Sequence, residues 1–334
     1  RCVKRDTHER TAKKILDERT PSAIWKEVGN ILNPRSNDSI SLKVNDQVLK
    51  NESEVAGHLN EFFIKKIENL RSNIAADMKE DPLRRLADKM RDHSLKLELR
   101  PVSEKDIVDA IKGIKPKRSS GFDDISQEFL KQISPVISFP LKTIINRSIT
   151  DGVFPEIWKR SKTIPVHKKG DRQLPSNYRP ISCLSSSSKI LESIVLKQLT
   201  GYFEKHQLLP HNKHGFRAGR SMETVIASMV AEWSRAFETG GNTGILLWDL
   251  SSAFDTIDVE ILCNKLEIYG IDKKSIKWFH SYLTNRRQQV QVSSCTSLPI
   301  ELTVGCPQGS LLSLNLFLIY VADLELWVRD VSVH

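Results

Sequence analysis

The sequence has little cysteine, and what it has is unpaired by pattern. Cys2, Cys183, Cys263, Cys295 and Cys306 are odd in number and scattered, with no C-x-x-C pair. That excludes a secreted disulfide framework and a zinc module, and points to a reducing, intracellular compartment. Glycine and proline are sparse, 15 and 14 of 334 residues, which excludes collagen-like and low-complexity classes. No apolar run approaches the roughly 20 residues that a membrane span needs. The longest, 245–250 and 311–322, are too short or interrupted. No G-x-G-x-x-G follows a strand pattern, so dinucleotide chemistry is unsupported. The chain opens without Met and without an apolar leader, and reads as a piece of something longer.

What is present is a chain of globular hydrophobicity, 39%, with charge unevenly laid out. The net charge is +9, yet residues 111–220 alone carry 20 basic and 8 acidic residues, and residues 221–334 carry 8 and 13. A basic surface facing a polyanion, beside an acidic region able to hold metal, accounts for this layout. A solvated surface with random clustering is the plainer alternative.

Residues 1–100 read as charged helix with three aromatics, Trp25, Phe62 and Phe63, broken at Asn33–Asp38. Val55, Leu59, Phe62, Ile67 and Leu70 recur near the 3.6-residue period and predict one buried helix face. A second helix is expected from Ser103, with Asp106 three residues on. From Lys112 the texture changes. Helices are expected over 127–133, 141–149, 187–202 and 224–237, and a buried one over 311–320. Short strands are expected at 163–166 and 181–184, and a strand pair at 288–292 and 300–304. The apolar run 244–249 reads as a buried strand ending in an acid.

Four segments could carry chemistry. A strand ending at Asp249, followed by Leu250-Ser251-Ser252-Ala253-Phe254-Asp255, presents a carboxylate at a sheet edge, where it suits Mg²⁺. An Asp there equally serves as a turn former or helix cap. Cys306-Pro307-Gln308-Gly309-Ser310 feeds an apolar helix and offers an amide to a planar ligand, or is an ordinary turn capped by Ser310. Lys168-Lys169-Gly170 with Asn177-Tyr178-Arg179-Pro180 brings Lys and Arg to one place, a pair suited to a triphosphate or else a solvated hairpin tip. Gly215-Phe216-Arg217-Ala218-Gly219-Arg220-Ser221 interleaves glycine, aromatic and arginine, as a nucleic-acid path or as a plain loop before a helix.

Together and in this order, the segments closely resemble the reverse transcriptase of non-LTR (LINE-type, jockey-like) retrotransposons. Ser119-Ser120-Gly121-Phe122-Asp123-Asp124-Ile125 is similar to the element that precedes the family's fingers. The resemblance runs from Lys112 to about Tyr320. It implies an α+β fold in the right-hand polymerase arrangement. Residues 1–100 would be a helical region upstream, 101–240 the fingers and start of the palm, and 241–334 an incomplete palm without a thumb. It implies an enzyme that adds deoxynucleoside triphosphates to a DNA primer on an RNA template. Asp249 is then the first carboxylate of a two-Mg²⁺ site. Lys168 or Lys169, with Arg179, holds the triphosphate. Phe254 lies under the deoxyribose and excludes a 2′-hydroxyl. Gln308 and Gly309 contact the nucleotide, and Gly215, Phe216 and Arg217 line the template. Asp255 is expected to start a helix rather than bind metal.

The departures are specific. The family's second catalytic turn, Tyr/Phe-Ala-Asp-Asp, is absent, and Tyr320-Val321-Ala322-Asp323 lacks its second Asp. Asp323 is expected on the wrong element to bind metal. Ser313 and Leu314 replace the usual Gly-Pro, and Trp248 is unusual before the catalytic Asp. The chain is therefore expected to be truncated before that motif and inactive alone. A non-catalytic nucleic-acid-binding remnant is the rival reading, and a chain that never folds stably is a third.

Overall fold

The structure, a computed structural model, describes residues 40–74, 80–117 and 119–328. Of the charged helical region expected over 1–100, Trp25 and the break at Asn33–Asp38 lie outside the described residues. Strands β1 (Leu42–Val44) and β2 (Gln47–Leu49) open the described chain as an antiparallel hairpin. This corrects the all-helical reading of the first hundred residues. Asn45 and Asp46 take φ of 47° and 63°, the left-handed pair that a two-residue hairpin turn needs and that Asn and Asp tolerate.

Helix α1 (Glu52–Ile74) follows, its N-terminus capped by Asn51 Oδ1 accepting from Ser53 N–H at 2.9 Å. Val55, Leu59 and Phe63 are buried, as the period predicts for Val55 and Leu59. Asn60 is buried with them and binds the sheet. Its Nδ2 donates to Ser297 Oγ at 3.0 Å and Leu298 O at 2.9 Å, and its Oδ1 accepts from Gln288 Nε2 at 3.0 Å. Helix α2 (Arg84–Met90) is short. Helix α3 (Glu104–Gly113) carries the expected capping box of Ser103 and Asp106, and buries Ile107 and Ile111.

Helices α4 (Gln127–Gln132) and α5 (Ser134–Asp151) lead to the sheet. Strand β3 (Arg160–His167) pairs antiparallel with β4 (Tyr178–Cys183), Val166 opposite Arg179, and parallel with β5 (Arg286–Val292). β5 continues into β6 (Cys295–Thr296) and pairs with β7 (Ile300–Leu302), so the expected strand pair forms with an extra strand in its connection. Between these lie α6 (Ser186–Lys205), α7 (Met222–Glu238), α8 (Val259–Ile268) and α9 (Lys273–Leu283), and α10 (Ser313–Tyr320) follows. The arrangement is α+β.

The main core joins α2, α3, α5, α6, α8, α9 and α10. Ile190, Leu191, Val195 and Leu199 of α6 are fully buried, as are Leu262 and Leu266 of α8. Trp278 stacks on Tyr282 at 5.5 Å, with Phe154 edge-on to both. Buried Arg286 lies over the Tyr282 ring at 5.1 Å and donates from Nη1 to Tyr282 O.

One expected strand does not form. Residues 244–249 have no strand pairing, and Ile245, Leu246, Leu247 and Trp248 are 55, 75, 85 and 65% exposed. A strand exists only where a neighbour answers its N–H and C=O groups. The sheet recruits 160–167, 178–183 and 286–302, and no described strand lies against 244–249. Helix α7 shares the exposure, with no buried residue and Phe237 83% exposed.

Gly270 closes α8 against the preceding chain. Its φ is +91°, and a Cβ there would lie 2.3 Å from Leu95 O and 2.8 Å from Tyr202 Oη. Gly270→Ala is expected to destabilise the fold on the order of 3 kcal/mol through left-handed strain and overpacking. Urea unfolding checks it; a loss under about 1 kcal/mol would mean the neighbours give way.

Candidate nucleotide and template site

The β3–β4 hairpin is shaped to present its cations. Its ladder ends at Lys168 N–H donating to Asn177 O at 2.8 Å. Gly170 turns the tip at φ +83°, and Asn177 Nδ2 donates to Asp171 O at 2.8 Å. Buried Tyr178 donates to Arg172 O at 2.7 Å. Asn177 and Tyr178 thus fix the tip, leaving Arg179 outward beside Val166. Among the described residues no ion pair engages Lys168, Lys169 or Arg179. Burial, then the charges of Lys66 and Arg179, hold the Lys168 ammonium below its ordinary value.

The turn over 305–310 is wedged between two other segments. Gly305 N–H donates to Ile257 O at 2.9 Å and Cys306 N–H to Phe254 O at 2.8 Å. A Cβ on Gly305 would meet Asp255 O at 2.6 Å, and one on Gly309 would meet Ser182 O at 2.4 Å. Both glycines have left-handed φ, +84° and +104°, so each place requires glycine twice over. Gln308 Nε2 reaches Asp255 Oδ1 and Oδ2 at 2.7 and 2.6 Å. Burial pushes the Asp255 carboxyl above its ordinary range, against the pull of the Gln308 amide and the Lys66 charge.

Asp255 does not start the helix, contrary to the expectation for it. That role belongs to Asp258, whose Oδ1 accepts from Glu260 and Ile261 N–H at 3.0 and 3.1 Å. Phe254 is flanked by Phe317 at 4.8 Å and Phe216 at 6.4 Å, ring to ring. Phe216 is 52% exposed at φ +59°, and the space around Gly215 is open. Arg217 is not free to meet a template. Its Nε and Nη2 hold Glu204 at 2.9 and 2.7 Å, and Nη1 donates to Pro210 O. A carboxylate thirteen residues upstream along α6 has claimed the guanidinium, so Arg217 sets the loop instead.

One residue of the site carried no motif. Glu192, fully buried on α6, accepts from Ser188 Oγ, Ser310 Oγ and Leu311 N–H at 2.8, 2.9 and 2.9 Å. An acid at a core position of an apolar helix stripe was its only signal.

Asp249, Asp255 and Asp323 do not assemble a two-cation site. Asp249 stands on the exposed segment before Leu250. Asp255 is held by Gln308. Asp323, expected from its place in the sequence not to bind metal, is buried against Lys265 Nζ at 2.6 Å. Among the described residues no group of three His, Cys, Asp or Glu could hold a metal ion. The described residues therefore do not fit two Mg²⁺ ions.

Residues 166–333 match the family model described as reverse transcriptase (RNA-dependent DNA polymerase), which is half of the chain. The chain belongs to this reverse transcriptase family. It is 31% identical over 237 residues to the "Probable RNA-directed DNA polymerase from transposon BS" of Drosophila melanogaster, covering 69% of this chain and 25% of that protein. It is 25% identical over 225 residues to the "RNA-directed DNA polymerase from mobile element jockey" of Drosophila funebris, covering 67% and 24%. The type-1 retrotransposable element R2 Pol polyprotein of Popillia japonica is 27% identical over 221 residues, covering 65% and 29%. The chain spans about a quarter of the length of these relatives.

The Asp255–Gln308 contact has a pH signature. A carboxyl raised in the folded state contributes most stability below its ordinary value and loses it as pH rises through the folded value. Gln308→Ala removes the donor that favours the anion, so it raises Asp255 further. The variant is expected to lose roughly 1–3 kcal/mol at pH 7. The gap to wild type should narrow as pH falls toward 4, in denaturant melts across that range. A gap independent of pH would take Asp255 out of the contact.

Proposed function

We propose that this chain is the fingers and an incomplete palm of an RNA-directed DNA polymerase from a non-LTR retrotransposon. Residues 101–240 are assigned to the fingers and start of the palm, residues 241–334 to the rest of the palm, and residues 1–100 to the region upstream. Its template is RNA, its primer is a DNA 3′-end, and its substrates are deoxynucleoside triphosphates. The single observation that supports this best is the turn over 305–310, packed against both β4 and the Phe254–Asp255 segment. It joins the hairpin that bears Lys168 and Arg179 to the aromatic expected under the sugar.

In this reading Lys168 or Lys169, with Arg179, binds the triphosphate: a point charge beside a planar fork. Phe254 supports the deoxyribose with a ring that leaves no room for a 2′-hydroxyl. Gln308 and Gly309 meet the nucleotide and its base pair. Gly215 and Phe216 face the template, with Arg217 holding their loop to α6. Asp249 is the family's first metal carboxylate. Reverse transcriptase domains use divalent ions, and the carboxylate set here is short of that need. One carboxylate does not fix two cations.

The rival reading, a nucleic-acid-binding module without catalysis, is favoured by that same shortage. The two differ in what they do with a primer. In either reading the chain binds an RNA–DNA hybrid through its basic middle third. Affinity should fall steeply with salt. The slope of log affinity against log salt should shallow by roughly 0.7–0.9 for each phosphate that a variant no longer neutralises. Filter binding of Lys168→Ala, Lys169→Ala and Arg179→Ala across a salt series measures this. No affinity at low salt would end both readings.

Extension separates them. The 334 residues alone are expected to give no primer extension, with Mg²⁺ or Mn²⁺ in excess. Adding a family hairpin that bears Ala-Asp-Asp, with a thumb, should restore extension, and Asp249→Asn should abolish it again. Failure of the completed protein to extend would favour the binding module. Asp249-dependent extension by the chain alone would refute the account of its missing carboxylates.

A further inference from the structure

The β1–β2 hairpin lies outside the matched residues 166–333, yet one of its N–H groups reaches into them. Lys43 N–H donates to Gln173 O at 2.8 Å, in the loop that begins with Lys168 and Lys169. The register explains why that N–H can do so. Val44 faces Gln47 across the Asn45-Asp46 turn, and Lys43 faces Val48. Along an antiparallel pair, residues alternately exchange their ladder bonds and turn those groups outward. The pair that closes a two-residue turn exchanges them, so the next residue, Lys43, points its N–H away from β2. Leu42 beside it is fully buried and anchors the strand at that point.

The loop that receives this bond is held carbonyl by carbonyl. Asp171 O accepts from Asn177 Nδ2 at 2.8 Å, Arg172 O from Tyr178 Oη at 2.7 Å, and Gln173 O from Lys43. The first two donors belong to the β3–β4 hairpin itself, and the third comes from upstream. Asn177 relays the hold to the cations, because its own O accepts from Lys168 N–H at 2.8 Å. A loop released at Gln173 would shift Asp171 and, through Asn177, the backbone of Lys168. The upstream hairpin is itself secured. Helix α1 follows it directly, and Asn60 of α1 grips Gln288 of β5, Ser297 and Leu298. The hairpin is thus tied to β5 through α1 and to the β3–β4 loop through Lys43.

We propose that the β1–β2 hairpin braces the triphosphate site, with Lys43 a positioning residue that acts through its backbone N–H. The proposal rests on the nucleotide-site reading above. A loop that samples several positions offers Lys168 beside Arg179 for only part of the time, and apparent affinity falls by that fraction. The brace removes that loss. It makes the upstream region part of substrate binding, where a sequence reading sees only a linker.

The test is calorimetric titration of the full chain with dTTP and tripolyphosphate, without divalent cation. Lys43→Pro removes the N–H at an edge position that the β1–β2 ladder does not use. Replacing Lys43 by its α-hydroxy acid through nonsense suppression exchanges the N–H for an oxygen and keeps the side chain, which decides the matter if proline unfolds the hairpin. Each should weaken both ligands roughly fivefold, the population lost with one hydrogen bond. Lys43→Ala keeps the N–H and should stay within about twofold of wild type. Hydrogen exchange over 168–177 should quicken in the two variants that lack the N–H, while α9 stays protected. Unchanged affinity without the N–H, with weakening in Lys168→Ala or Arg179→Ala, overturns the brace and leaves the site standing. Unchanged affinity in all of them overturns both. Equal weakening in Lys43→Ala assigns the effect to the side-chain charge and overturns the proposal.

Discussion

The site's geometry depends on one buried carboxylate. Glu192 lies within the apolar stripe of α6, fully out of water. A carboxylate placed there costs several kcal/mol in lost hydration unless donors surround it. Ser188, Ser310 and the Leu311 N–H are those donors. Ser310 Oγ also accepts from Leu312 and Ser313 N–H at 3.0 and 3.2 Å, and meets Tyr282 Oη at 2.6 Å. One charge thus dictates where the Pro-Gln-Gly-Ser turn ends and where α10 begins. A turn that moved away would leave the carboxylate stranded, so the energy of burial is converted into position.

From that fixed point the constraint spreads through backbone contacts that only glycine permits. Gly309 lies against β4 and Gly305 against Asp255, so the hairpin and the Phe254–Asp258 segment are held to the same turn. Carboxylates then sort the polar side chains. Gln308 is claimed by Asp255 and Arg217 by Glu204, and both act by shaping backbone as well as by what they can touch. Among the described residues Lys168 and Arg179 have no such partner, which in the reading proposed above keeps their charge available to a triphosphate. Part of the positive surplus of the middle third therefore stands at the hairpin tip.

Much of this was legible in the sequence, for reasons that differ by element. The Ser103–Asp106 capping box and the Val55–Leu59 stripe are local, and local rules read them. The hairpin tip and the turn over 305–310 were legible as ordered motifs because glycine and proline mark them. The β1–β2 hairpin was missed because Asn-Asp is a weaker turn signal than Asn-Gly. Glu192 and the hold of Glu204 on Arg217 depend on which helices pack together, and no window of sequence contains that. The role of Asp258 was given to Asp255 because both lie just ahead of the same helix, and only the packing of Gln308 separates them.

The segment 244–249 shows the limit of pattern reading most clearly. Gly-Ile-Leu-Leu-Trp-Asp has the composition of a buried strand, and composition is a statement about what the chain would do beside a partner. With no described strand beside it, four large apolar side chains stay mostly in water, and Asp249 stays with them. A carboxylate on an exposed segment is solvated and unfixed, so it offers a cation little that bulk water does not. Burying those side chains would yield about 25 cal/mol for each Å² covered, and the same event would hold Asp249 still. In the reading proposed above, any affinity for metal at this position is therefore coupled to strand formation. The hydrophobic residues before Asp249 matter to its chemistry as much as the carboxylate itself.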